Sequence, residues 1–493
     1  MGSRALRLTW RALAGLAVLY LVLLIPDGDP PAPATADRRP FQWNRGAFWA
    51  EQQDRFERAR SAGCAGLEPR VVELLAGIDG LASRLGVDGP VPRDAALATL
   101  ETSVFELAPL VAACPERVAE YMAAIERLRQ DVKHRSEAWN MASPEAREAL
   151  YRLLYGSRAA LEEVLLQAPA GAAPALLAGT AEPSATPALA FGGVELHSGD
   201  ILVSRGNAPA SALIARGHDL PGNFSHVALL HVDEHSHAAA VIEAHIEIGV
   251  VVSTAEQYLG DGKRRILVLR PRSDLPELVA DPLRPHRAAS RALREARARH
   301  IPYDFAMDPR DHGALFCSEV ASAAYEAVGI ELWPGQSSIS SAGIAGWLAD
   351  FGVRHFETQE PADLEYDPKL RVVAEWRDPE GLFLDHADNA VVDVLLEDAE
   401  AGAELAYDRA KLPLARVLKA WSLLLNAFGR PGPLPEGMSA TAALRMERFA
   451  RDHAVLRERL LSLAAGFERE RGYRAPYWEL VRLARAARES ARQ

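Results

Sequence analysis

Cys317, His226 and Glu243 are the residues of this chain whose types combine into a workable reaction scheme. A thiol attacks a carbonyl carbon once a base has taken its proton, and a third group that holds the base fixes its tautomer and orientation. Cys317 stands in Leu315-Phe316-Cys317-Ser318-Glu319-Val320, and Ala321, Ala323, Ala324, Tyr325 and Val328 continue it as a helix ending at Gly329. A thiol in the first turn of a helix faces unpaired N–H groups and the positive end of the dipole, so this placement predicts a lowered thiol pKa. His226 opens a strand-like run after the turn Pro221-Gly222-Asn223. Glu243 lies inside the next such run, where a carboxylate among apolar neighbours needs a partner. An imidazole N–H from His226 would suit it. His245, two residues on and therefore on the same face, is the rival third member.

Taken singly, each residue has an ordinary structural explanation. Cys317 could be a small buried hydrophobe among alanines, and His226 a satisfied structural histidine. Glu243 could pair with an arginine or face outward at an edge. The histidines at 226, 231, 235, 237 and 245 raise the question of a metal, but their spacing fits no established zinc pattern, so no metal and no cofactor is expected.

The elements that must position these side chains follow from texture. Residues 40–167 read as helical, with Ser143-Pro144-Glu145 as a capped helix start. Residues 168–190, rich in Ala, Pro, Gly and Thr, read as a linker. Short β-rich runs follow at 200–204, 226–232, 240–245, 249–252 and 265–269, with Asp233-Glu234-His235-Ser236-His237 as a polar hairpin tip. Helices are expected around 287–300 and after Cys317, and again from about 378 to 493, where Ser439 is a good cap.

Five strings, in order, resemble the permuted NlpC-type papain-like family known as YiiX/YebB. They are Gly199-Asp200-Ile201, Ser225-His226-Val227, Val241-Ile242-Glu243-Ala244, Tyr303-Asp304-Phe305 and Phe316-Cys317-Ser318-Glu319-Val320. The resemblance covers residues 191–376 and has the histidine before the cysteine, as the permutation requires. It implies an α+β fold, a small antiparallel β-barrel or sheet packed on the cysteine helix, between helical flanks. It also implies Cys317 as nucleophile, His226 as base and Glu243 as orienting acid of a thiol hydrolase cleaving an amide, ester or thioester. Lecithin retinol acyltransferase is a related permuted enzyme, which makes lipid acyl transfer the alternative chemistry; a non-catalytic envelope scaffold is the alternative outside enzymes. Ala228 stands where many relatives carry glycine. Tyr303 is a candidate oxyanion or substrate contact, set against a buried tyrosine bonded to backbone.

The chain has 493 residues and a formal net charge of −12, which argues against a general affinity for nucleic acid. Three cysteines exclude a disulfide-rich scaffold, and Cys64 and Cys114 either bridge each other or are two small buried hydrophobes. Arg4, Arg7 and Arg11 precede an uncharged apolar run from Ala12 to Ile25, ended by Pro26, and Ala34-Thr35-Ala36 offers a cleavage site. Residues 1–36 therefore read as a signal peptide or a retained membrane anchor, which puts the body in the cell envelope, outside the cytoplasm. A lipid or a cell-wall peptide is the expected substrate.

Overall fold

The computed structural model describes residues 2–28, 40–41, 46–84, 95–169, 171, 174–333 and 335–492. The proposed cleavage site at 34–36 lies outside them. Helix α1 (Gly2–Leu23) is followed by the helical region α2 (Ala47–Ala62), α3 (Cys64–Arg84), α4 (Ala95–Ala112), α5 (Val118–Ser136) and α6 (Pro144–Gln167). Helix α4 is apolar enough to suggest a membrane span, yet Leu97, Leu100, Val104, Leu107 and Val111 are buried in the protein core. Ser143 caps α6 by accepting the Ala146 N–H. A disulfide joins Cys64 to Cys114, closing a stretch of helices between them.

Eleven short strands follow among the described residues: β1 (Leu176–Ala178), β2 (Ala188–Phe191), β3 (Val194–His197), β4 (Ile201–Arg205), β5 (His226–Val232), β6 (Ala239–His245), β7 (Gly249–Ser253), β8 (Arg265–Pro271), β9 (Ser337–Ser338), β10 (Glu357–Thr358) and β11 (Leu370–Arg377). Seven form one antiparallel sheet in the order β1-β11-β8-β4-β5-β6-β7. The fold is thus α+β, an antiparallel sheet region between helical regions. The stretch read as a linker is a correction: it carries β1, the edge strand on β11, and β2, half of a hairpin with β3. Its small residues let it lie across the sheet, and backbone pairing supplies the order its side chains do not announce.

Alternation along the strands divides two cores. Ile201, Val203, Val227, Leu229, Ile242, Ala244, Leu267 and Leu269 face the larger core, which continues into the helical regions. Leu202, Ala228, Leu230, Val241, Val268 and Ala374 face a smaller core beneath the β2–β3 hairpin and Tyr258 of α8 (Ala255–Gly260). Against the larger face pack α10 (Arg284–Ala298) and α11 (Glu319–Glu326). Their approach needs glycine: a Cβ on Gly199, at φ 99°, would collide with Pro285 of α10. Helices α7 (Pro209–Arg216), α9 (Pro276–Ala280), α12 (Ala342–Phe351) and α13 (Asp363–Tyr366) fill the connections. The chain closes with α14 (Pro379–Glu400), α15 (Leu412–Asn426), α16 (Ala440–Arg471, capped by Ser439) and α17 (Tyr477–Arg492).

Candidate active site

His226 opens β5, and Glu243 sits on β6 opposite Ala228, so the period-2 rule sends both side chains to the same face of the sheet. His226 Nε2 lies 2.8 Å from Glu243 Oε2. His245 Nε2 lies 3.2 Å from the same oxygen, and Ser253 Oγ donates to Oε1 at 2.7 Å. Glu243 is buried, and burial acts to raise its pKa; the His226 and His245 hydrogen bonds outweigh it and hold the carboxyl well below its ordinary range. An ionised Glu243 accepts only, so His226 Nε2 carries the proton and Nδ1 is left as the basic nitrogen of a neutral ring. Burial lowers the His226 pKa despite Glu243, whereas for His245 the Glu243 bond overcomes burial and the pKa is raised.

Cys317 precedes the Ser318 cap of α11 and is buried. Its thiol donates to the carbonyl oxygen of Ser225 at 3.8 Å, and the Val227 and Ser318 N–H groups hydrogen-bond to the sulfur. The sulfur therefore lies along the backbone on both sides of His226. No hydrogen bond joins Cys317 to His226 in this conformation. Burial pushes the thiol up to about 12, with a further rise from Glu360, against the lowering by the Val227 and Ser318 N–H groups. The expectation of a lowered thiol pKa is thus corrected: two N–H groups and a helix of eight residues do not offset the loss of solvent.

The remaining motif residues divide into scaffold and site. Gly199 gives its carbonyl to Tyr325 Oη at 2.5 Å, and Asp200 holds Arg270 through two contacts of 2.8 Å. Asp304 accepts the Ala306 and Asp308 N–H groups and shapes the loop before the cysteine. Gly249, at φ 76°, lets the Ile301 carbonyl approach β7, where it accepts the Val250 N–H at 2.9 Å. That contact sets the course of 301–303 and hence Tyr303, whose backbone bridges Leu315. The Tyr303 ring packs edge-on to Phe305 and Phe316, 5.0 and 5.8 Å between centroids, and its hydroxyl has no hydrogen bond among the described residues. Burial keeps that hydroxyl protonated. Beside it is an apolar cavity of about 90 Å³ lined by Leu213, Ile214, Phe305, Phe316 and Met438 among others.

Sequence reasoning weighed His245 as a rival to Glu243; the structure has both histidines sharing one carboxylate. It missed Ser253, which pairs with Val241 on the β6–β7 ladder and so reaches Glu243 diagonally, and the Ser225 and Val227 backbone groups that meet the Cys317 sulfur, which no side-chain pattern signals. His226, Glu243 and His245 also have donor atoms close enough together to hold a cation. Two imidazoles and one carboxylate form an acceptable donor set, and their spacing across two strands was invisible as a sequence pattern.

No protein-family model matches the sequence, and no curated protein matches it. Among solved structures, one match is the metalloprotein YiiX from Escherichia coli O157:H7, at 18% identity and a TM-score of 0.28. The alignment covers 36% of this chain and 97% of that one.

Proposed function

We propose that this chain is a thiol hydrolase in which Cys317 forms an acyl-enzyme, His226 moves the proton and Glu243 orients the imidazole. The observation that carries the reading is the position of the Cys317 sulfur between the Ser225 carbonyl and the Val227 N–H, the backbone groups on either side of His226, whose Nε2 is already committed to a carboxylate. Thiol and imidazole are both neutral at rest, so proton transfer accompanies attack. The Sγ–H turns from Ser225 O to His226 Nδ1, the sulfur bonds the carbonyl carbon, and the C=O electron pair moves to oxygen. Collapse expels the leaving group with the proton from Nδ1 and leaves a thioester on Cys317. Water, deprotonated by His226, then releases the acid. The free Tyr303 hydroxyl is suited to donate to the oxyanion.

The cavity beside Tyr303 and Phe316 favours an acyl group over a polar peptide side chain on the acyl side of the bond. The cavity is small and apolar, about 90 Å³, which suits a short acyl ester or thioester. The Cys64–Cys114 disulfide fits an oxidising compartment, in keeping with an extracytoplasmic site anchored or exported through α1.

The test is acylation of Cys317 by p-nitrophenyl esters of graded acyl length, read by mass spectrometry after acid quench. A mass increment on the Cys317 peptide that disappears in Cys317→Ala and falls roughly a hundredfold or more in His226→Ala is expected. Acylation that proceeds equally in His226→Ala, or none with any ester, would sink the reading and favour a binding or scaffold role.

A further inference from the structure

Helix α15 turns the usual amphipathic pattern outward. Leu412, Pro413, Ala415 and Ser422 are buried, while Leu414, Val417, Trp421, Leu424 and Phe428 are 49–74% exposed. The spacing of Leu414, Val417, Trp421 and Leu424, three, four and three residues apart, places them on one face of the helix, and Phe428 follows in the turn just past its end, so an apolar stripe runs the length of α15 on the solvent side. A surface helix of a soluble body normally presents charges there, and a stripe of this kind marks an interaction face.

Two further observations say what covers it. The first is the neighbour. Arg416 of α15 donates to the backbone carbonyls of Val22 and Ile25 and pairs with Asp27 at 3.0 Å, and Asp27 also accepts the Thr441 hydroxyl at 2.9 Å. The end of α1 is thereby clasped to α15 and to the start of α16. Leu13, Leu16, Val18, Leu19, Leu21 and Val22 of α1 are themselves half-exposed or more, so two apolar surfaces share one junction. The second is charge. From Arg409 to Pro435 the chain has five basic residues and no acidic one, in a protein whose formal net charge is −12. Arg409 and Arg430, at the two ends of the stripe, form no ion pair among the described residues. An apolar face with a tryptophan in it and free arginines at both ends is the pattern that rests in the headgroup region of an anionic bilayer.

We infer that α15 lies in the plane of a membrane, its Leu414–Phe428 face in the acyl boundary of an anionic leaflet, next to the point where α1 enters. Fifteen residues at ~1.5 Å each reach about 22 Å, short of a hydrocarbon core of about 30 Å, so the helix rests on the bilayer rather than crossing it. The inference is independent of the chemistry at Cys317.

The full-length chain lends itself to a direct test, because Cys64 and Cys114 are bridged and Cys317 is buried, which leaves an introduced surface cysteine as the accessible thiol. Leu424→Cys, Phe428→Cys and a control, Val279→Cys on exposed α9, are labelled with nitrobenzoxadiazole. Each is reconstituted in vesicles of phosphatidylethanolamine with a minority of phosphatidylglycerol. The labels at 424 and 428 should shift to the blue and be quenched by lipids bearing a nitroxide on the acyl chain, while the label at 279 stays as in water. Solvent-like emission at 424 and 428 in vesicles that have taken up the protein overturns the inference. So does a blue shift that arises without vesicles and grows with protein concentration, which would assign the face to a second copy of the chain.

Discussion

At the scale of single residues, the unusual feature is that the proposed nucleophile and its proposed base are both uncharged. Burial lifts the Cys317 thiol to about 12 and depresses His226 below its ordinary value of 6.5. A resting thiolate–imidazolium pair is therefore disfavoured, and iodoacetamide should label Cys317 slowly at neutral pH, unlike an exposed cysteine of pKa about 8.5. The base acts in its neutral form, which persists as pH falls until the depressed His226 pKa is crossed. The acidic limb of the Cys317 acylation rate should accordingly lie below pH 6.5. Burial is the largest cause of that depression and Glu243 the main opposing one. Removing the carboxylate in Glu243→Gln should move the limb to still lower pH while reducing the plateau rate by roughly a hundredfold or more, since Nε2 loses the acceptor that fixes its tautomer. A limb at or above pH 6.5 would show that burial does not dominate at His226, and one that Glu243→Gln leaves in place would remove Glu243 from the mechanism.

At the scale of elements, the start of α11 carries a second buried acid. Glu319 Oε2 accepts the Phe316 N–H at 2.7 Å and so closes the turn that presents Cys317. Burial, then Asp304, Asp308 and Asp311, push Glu319 up to about 8. Because this folded pKa lies above the unfolded value of about 4.5, the folded state holds a proton that the unfolded state has released between those values. The contribution of Glu319 to stability is present at low pH and is lost as pH rises from 4.5 towards 8. Glu319→Gln keeps an acceptor for Phe316 and removes the ionisation. Its thermal midpoint should therefore decline less than that of the parent between about pH 5 and about pH 8, a difference on the order of a kcal/mol or more. Parallel profiles for the two proteins would show that Glu319 titrates normally. The helix and strands here were legible in the sequence because 226–232 and 240–245 are apolar runs separated by a polar tip, and Gly329 stops α11. Strand β1 was not: Leu176–Ala178 has three residues, an Ala- and Pro-rich context and no alternation, and only pairing with β11 makes it a strand. The direction of the thiol pKa was not legible either, because a helix start is local but burial depends on what the rest of the chain stacks above it.

At the scale of the molecule, the helical regions are joined to the sheet by buried charge rather than set beside it. Arg158 and Glu162 of α6 reach the sheet strands and α14 together. Arg158 pairs with Glu375 of β11 at 2.9 Å and with Glu365 of α13 at 2.6 Å. Glu162 meets Arg265 of β8, His386 of α14 at 3.0 Å and Arg377 of β11 at 3.4 Å. Arg265 and Arg205 both close on Asp385 of α14, at 3.1 and 2.8 Å. Arg205 and Arg265 are among the largest fully buried side chains. No sequence pattern announced this, since Glu162 and Arg158 read as one charged turn of an amphipathic helix until the sheet and α14 close over them. Burial acts to raise the Glu162 pKa, but attraction to Arg265, the His386 hydrogen bond and charge, and attraction to Arg158 outweigh it and hold the carboxyl well below its ordinary range. Glu162→Ala would leave His386 without its carboxylate and Arg265, Arg158 and Arg377 with one acceptor fewer in a buried site, a loss on the order of 3 kcal/mol. Because the partners belong to α6, β8, β11 and α14, the consequence should be shared: calorimetry should show one unfolding transition at a lower midpoint. Hydrogen exchange should lose protection in 144–167, 265–271 and 379–400 to the same degree. If the helices before the sheet instead unfolded alone while the strands kept their protection, the chain would be two bodies in contact, and the buried charges would not be what holds β8 and β11 to the helical regions.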